Sequence, residues 1–140
     1  MTETAAPPAK PAPHPTPISA HYWESLNDGK LTIQKCTACG SLQHYPRPFC
    51  VNCLSSDLEW ERVSGRATLF SFTIVRRAAS PAFAPDLPYV LAIIELEEGP
   101  HMTGNVIGIP VDEVVVGMPL ELTIVPAGDG HSLPQWKARR

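Results

Sequence analysis

Between Thr68 and Val75 the side chains fall into two rows of period two. Thr68, Phe70, Phe72 and Ile74 form one row, and Leu69, Ser71, Thr73 and Val75 the other. Both rows are fairly apolar, which predicts a strand covered on both faces or curled into a barrel, with Phe70 and Phe72 on one core face. Tyr89–Glu97 reads as a second strand, ended by the turn Glu98-Gly99-Pro100. A third runs over Thr103–Ile109, interrupted at Gly104 and Gly108. Leu120, Leu122 and Ile124 alternate with Glu121, Thr123 and Val125 in a fourth. Leu133-Pro134-Gln135-Trp136 adds a last strand at an edge, where proline is tolerated. Five short strands, with no helical pattern after Gly29, predict a small closed β-barrel.

The segment before the strands reads differently. Ser19 is placed to cap a helix and Gly29 to end it, with Tyr22 and Leu26 one turn apart and Trp23 beside them. A helix this short is marginal alone. It must dock its aromatic face, either on the chain's own ribbon or on a second protein. Ahead of it, residues 1–17 hold six prolines and no apolar run. They are expected to form a disordered or polyproline arm, with a PxxP-like docking segment as the alternative. The expected organisation is an arm over 1–17, a helix with a four-cysteine ribbon over 18–60, a barrel over 61–137 and a tail over 138–140.

Composition narrows the function. The chain has 140 residues, 11 Lys+Arg against 14 Asp+Glu and a net charge of −3, which disfavours affinity built on phosphate contacts. Acidic residues outnumber the four arginines between Arg62 and Pro126, so the barrel lacks the basic track that single-stranded nucleic acid needs. No apolar run approaches a membrane span. The amino terminus has no signal-peptide pattern, so a reducing cytoplasm is expected, where the four cysteines are metal ligands rather than disulfides.

Those cysteines carry the sharpest signal. Cys36, Cys39, Cys50 and Cys53 follow C-x2-C-x10-C-x2-C. Each C-x2-C turn presents two sulfurs to one ion, and two turns complete a closed tetrahedral site, structural rather than catalytic. Zinc is the expected ion, one per chain. Iron is the chemical rival, and a redox dithiol is a third reading. Gly40 follows the first pair, suiting a positive φ, whereas Leu54 stands at the matching place in the second. No nucleophile elbow, phosphate loop or metalloprotease motif is present. His44, between the knuckles, is expected to face solvent, and Glu95 and Glu97 to share a wet strand face.

Taken in order, these residues resemble a known family. Tyr22-Trp23-Glu24-Ser25-Leu26, Gln34-Lys35-Cys36-Thr37-Ala38-Cys39-Gly40, Pro46-Arg47, Trp60 with Ser64-Gly65-Arg66, Pro88-Tyr89-Val90-Leu91-Ala92 and Gly117-Met118-Pro119-Leu120 are similar to stretches of the DUF35 family over about residues 19–137. The resemblance implies a mainly β chain, with an N-terminal helix and a rubredoxin-like zinc ribbon followed by a five-stranded OB-fold barrel. It further implies a non-catalytic accessory subunit of a thiolase-superfamily acyl-CoA enzyme (thiolase, lipid-transfer-type aldolase or acyltransferase). Such a subunit bridges its partners and helps to house the CoA thioester. Arg47, Arg76 and Arg77 are then the candidates to meet CoA phosphates. A single-stranded nucleic-acid-binding module is the alternative function.

Overall fold

The computed structural model describes residues 10–128 and 130–139; most of the expected arm, residues 1–9, and the last residue of the expected tail lie outside them. Helix α1 (Ala20–Asn27) comes first. Its end has the sequence-expected form. Gly29 takes φ +79°, its N–H donates to Leu26 O at 3.0 Å, and Lys30 N–H donates to Ser25 O at 2.8 Å, so two orphan carbonyls of the last turn are satisfied. At the other end, Ser19 caps no helix amide with its side chain. Its hydroxyl accepts instead from Thr16 N–H at 2.9 Å, and its own N–H donates to Thr16 Oγ1 at 3.1 Å. Tyr22 and Leu26 are buried in the chain's own core. The helix docks internally, against the first ribbon strand and the last barrel strand, with Trp23 left half-buried beside this contact.

Strands β1 (Thr32–Cys36), β2 (Leu42–Gln43) and β3 (Leu58–Arg62) form a three-stranded antiparallel sheet in the order β2-β1-β3. The barrel follows, with β4 (Arg66–Val75), β5 (Tyr89–Leu96), β6 (His101–Val106), β7 (Pro119–Pro126) and β8 (Ser132–Ala138), closed in the order β4-β5-β6-β8-β7. This is the OB-fold arrangement, with one parallel contact, Val106 against Trp136, sealing β6 to β8. One core runs through both parts, with Leu26, Leu31 and Ile33 joining Leu69, Ile94, Leu120 and Trp136.

Two expectations are corrected here. First, Phe70 and Phe72 do not share a face. A bulge between Leu69 and Ser71 inserts Phe70 as an extra residue against β5. Before it Ala67 and Leu69 point inward; after it the even positions do, because one added residue inverts a period-two pattern. Phe72 packs on the core, while Phe70 is 50% exposed and lies against the His101 ring at 4.5 Å. Second, β8 is not an edge. It pairs along its whole length with β7 and once with β6. Pro134 is tolerated because it lies opposite Ile124 of β7, away from the single register point with β6 at Trp136, so its missing N–H removes no bond from that side.

Candidate metal centre

The two C-x2-C turns are near copies of each other. Cys36 ends β1, and Gly40 N–H donates to its carbonyl at 2.8 Å; Leu54 N–H donates to Cys50 O at 2.9 Å. Cys36 N–H reaches Ser41 O at 2.9 Å and Cys50 N–H reaches Ser55 O at 2.8 Å. Gly40 has φ +80° and Leu54 φ +66°. The second knuckle thus closes with a leucine in the left-handed region, the only non-glycine residue there among those described.

The four Sγ atoms lie within 4.8 Å of one another, with Cys36–Cys53 at 3.6 Å and Cys39–Cys50 at 3.7 Å. Four sulfurs held about 2.3 Å from one ion stand about 3.8 Å apart at the corners of a tetrahedron, whereas a disulfide brings two to about 2.05 Å. The spacing fits a metal held by four thiolates. Cys36 and Cys50 are buried, and Cys39 and Cys53 lie on the outer side.

The protein already favours anionic sulfur at one corner. The Ser41 hydroxyl, the Ser41 amide and the Asn52 side chain lower the Cys39 thiol to about 6. At Cys53 the Ser55 amide also lowers the value, but desolvation and the crowding sulfurs of Cys36, Cys39 and Cys50 outweigh it and push the thiol up to about 12. Four such groups ionise together only around a cation.

Two buried glutamines, which sequence reading passed over, hold the segment between the knuckles. Gln43 Nε2 donates to Gln34 Oε1 at 2.7 Å. Gln34 Nε2 donates to Arg47 O at 2.9 Å and its Oε1 accepts from Arg47 N–H at 2.8 Å. Gln43 Oε1 accepts from Val51 N–H at 2.9 Å, one residue beyond Cys50. Both residues are 5% exposed. They supply hydrogen bonds for a stretch of backbone that has no strand partner. The clue in the sequence was two amide side chains flanking the first cysteine pair on its two ribbon strands.

The structure leaves all three candidate arginines exposed. Arg47 is fixed through its backbone by Gln34, and Arg76 and Arg77 follow the last residue of β4. His44 departs from expectation. It is half-buried, its ring 5.4 Å from Tyr22 and 4.2 Å from Tyr45, and burial lowers it to about 4, so it is neutral. It lines a cavity of about 240 Å³ walled by α1, the ribbon loop and barrel strands β6 and β8. A larger cavity of about 420 Å³ adjoins it, and Leu91, Asn105, Leu133 and Gln135 line both.

The comparisons agree with this architecture. Residues 23–59 match the family model described as the rubredoxin-like zinc ribbon domain of ChsH2, and residues 60–125 match the C-terminal OB-fold domain of ChsH2. A probable enoyl-CoA hydratase alpha subunit of Thermomonospora curvata is 32% identical over 98% of this chain, which spans only 42% of that protein. A DUF35 domain-containing scaffold protein of Methanocaldococcus jannaschii is 33% identical over 71% of each chain. Among solved structures, a chain of the Ltp2-ChsH2(DUF35) aldolase superposes with a TM-score of 0.83 at 32% identity, covering 91% of this chain and 98% of that one.

Proposed function

The chain belongs to the DUF35 family, with the zinc ribbon and OB-fold of ChsH2, and on that premise we propose that it is a non-catalytic accessory subunit of a thiolase-superfamily acyl-CoA enzyme. The observation that carries the reading is the near-complete match to a chain of the Ltp2-ChsH2(DUF35) aldolase. In this role the ribbon and barrel bridge enzyme subunits and help to house the CoA thioester. The ion at Cys36, Cys39, Cys50 and Cys53 is zinc, one per chain, and it holds the ribbon rather than reacting.

Tyr22 and Leu26 of α1 are taken up by the chain's own core, whereas Trp23 is half-buried, so most of the binding surface falls to other apolar residues. Tyr45, Phe49, Val51 and Leu54 are exposed on the ribbon, and Phe70, Leu91 and Ile93 on the barrel. Large apolar groups left exposed on the ribbon and the barrel are candidate contacts for a protein partner. Arg47, Arg76 and Arg77 are proposed at its rim as contacts for CoA phosphates.

The test is co-expression with a neighbouring thiolase-like gene, followed by size-exclusion chromatography, zinc analysis and an acyl-CoA assay. The expected result is one co-eluting species with about one zinc per copy of this chain and more activity than the enzyme alone. Phe49→Asp should split the complex, and Arg77→Ala should weaken it far less, because a desolvated anchor outweighs a rim charge. Two separate peaks with unchanged activity would refute the reading. Sub-micromolar, salt-dependent binding to a short oligonucleotide would favour the nucleic-acid alternative.

A further inference from the structure

The two adjoining cavities form one groove across strands β5, β6 and β8, with α1 at one end and the loop after β4 at the other. Tyr22 and Trp23 of α1 line the smaller cavity. Phe83 and Asp86, in the 3₁₀ turn Pro81–Asp86, line the larger one. The amino-terminal arm touches both ends. Thr16 is tied to the start of α1, its carbonyl accepting from Ala20 N–H at 2.8 Å and its Oγ1 from Ser19 N–H at 3.1 Å. Lys10 lines the larger cavity, forms an ion pair with Asp86, and sits 5.8 Å from the centre of the Phe83 ring. Between these anchors Pro11, Pro13 and Pro15 alternate with other residues, and Ala12 and Pro13 are half-buried. Such a segment is stiff and extended, spanning about 19 Å from Lys10 to Thr16 at roughly 3.1 Å per residue.

We propose that the segment Lys10–Pro17 is a strap latched across this groove, and that it controls the entry of apolar ligands. The chain's own arm is the resting occupant of the mouth. The latch is weak by construction. Its ion pair is solvent-exposed on both sides, with side chains 51% and 44% accessible, and each of its two contacts shifts an equilibrium by a factor of about two to five. A firm hinge at Thr16 and Ser19 with a weak latch at Lys10 lets the strap open without disturbing α1. The ion pair makes opening sensitive to salt.

The test uses the full-length, metal-loaded protein and the neutral apolar dye Nile red, so that no charge on the probe interferes. Asp86→Asn, which removes only the ion pair, should bind the dye about two- to fivefold tighter than wild type at low ionic strength. Lys10→Ala, which also removes the contact with the Phe83 ring, should bind it about four- to twenty-fivefold tighter. At 0.5 M salt the gap between wild type and Asp86→Asn should close, while Lys10→Ala keeps the part due to the Phe83 contact. With fluorophenylalanine incorporated, the ¹⁹F resonance of Phe83 should move in Lys10→Ala. Ile107→Asp, which puts a charge in the wall of the larger cavity, should lower dye affinity in wild-type and Lys10→Ala backgrounds alike. Equal dye affinity in wild type and both latch variants overturns the strap, as does an unmoved Phe83 resonance. Dye binding untouched by Ile107→Asp overturns the groove as the place it guards.

Discussion

Replacing Leu54 by glycine should tighten the hold on zinc. An L-residue in the left-handed region carries about 1–2 kcal/mol of strain, and Leu54 sits there at φ +66°. Glycine removes that strain but returns roughly 0.5–1 kcal/mol through a more flexible unfolded chain. The leucine side chain is 72% exposed, so little buried surface is lost. The net expectation is a gain of about 0.5 kcal/mol, up to about 1. Because metal binding and ribbon folding are one equilibrium, this appears as a two- to fivefold tighter zinc affinity in competition with a chelator. The first knuckle provides the converse. A Cβ on Gly40 meets nothing within 4 Å, so Gly40→Ala tests backbone conformation alone and should weaken the site by a similar factor. Refutation would be a Leu54→Gly protein that releases zinc more readily, or a Gly40→Ala protein that holds it unchanged. Either would mean that the two knuckles are not equivalent in energy despite their matching hydrogen bonds.

Other outcomes follow from buried groups. His44 is lowered from an ordinary value near 6.5 to about 4 by burial, so the unfolded chain takes up its proton first. Its contribution is fully present above about pH 6.5 and is lost as pH falls through 4, by up to about 3 kcal/mol. A ring-proton NMR titration checks this directly, and a His44 that titrates near 6.5 contradicts it. At Gly104 an added Cβ would lie 3.0 Å from Trp136 Cδ1, an indole that is fully buried. Gly104→Ala should therefore destabilise the barrel by about 1–3 kcal/mol, seen as a lower denaturant midpoint followed by tryptophan fluorescence. An unchanged midpoint would mean that the β6–β8 seam has slack.

Some of this protein could be read from the chain alone. Ligand spacing is local, so Cys36, Cys39, Cys50 and Cys53 could be grouped as one candidate metal site from their order alone, and the folded ribbon brings their four sulfurs within 4.8 Å of one another. Strand periodicity is also local, and the five barrel strands lie where alternation placed them, within a few residues at each end. The Gly29 helix end and the Gly40 turn were legible because a left-handed backbone selects glycine. What escaped was decided by neighbours distant in sequence. Phe70 turned outward because β5 accommodates one extra residue opposite it, and no pattern in β4 announces that bulge. Pro134 came to lie inside a closed barrel because β6 meets β8 only at Trp136. Gln34 and Gln43 are buried polar residues because the knuckle loop needs their amides, a need visible only once that loop is folded over the sheet. His44 became neutral and half-buried because α1 brought Tyr22 against it. Local chemistry selects turns, strands and ligands; burial is a property of the assembled surfaces, and the closing of the barrel determined which side of each strand met water.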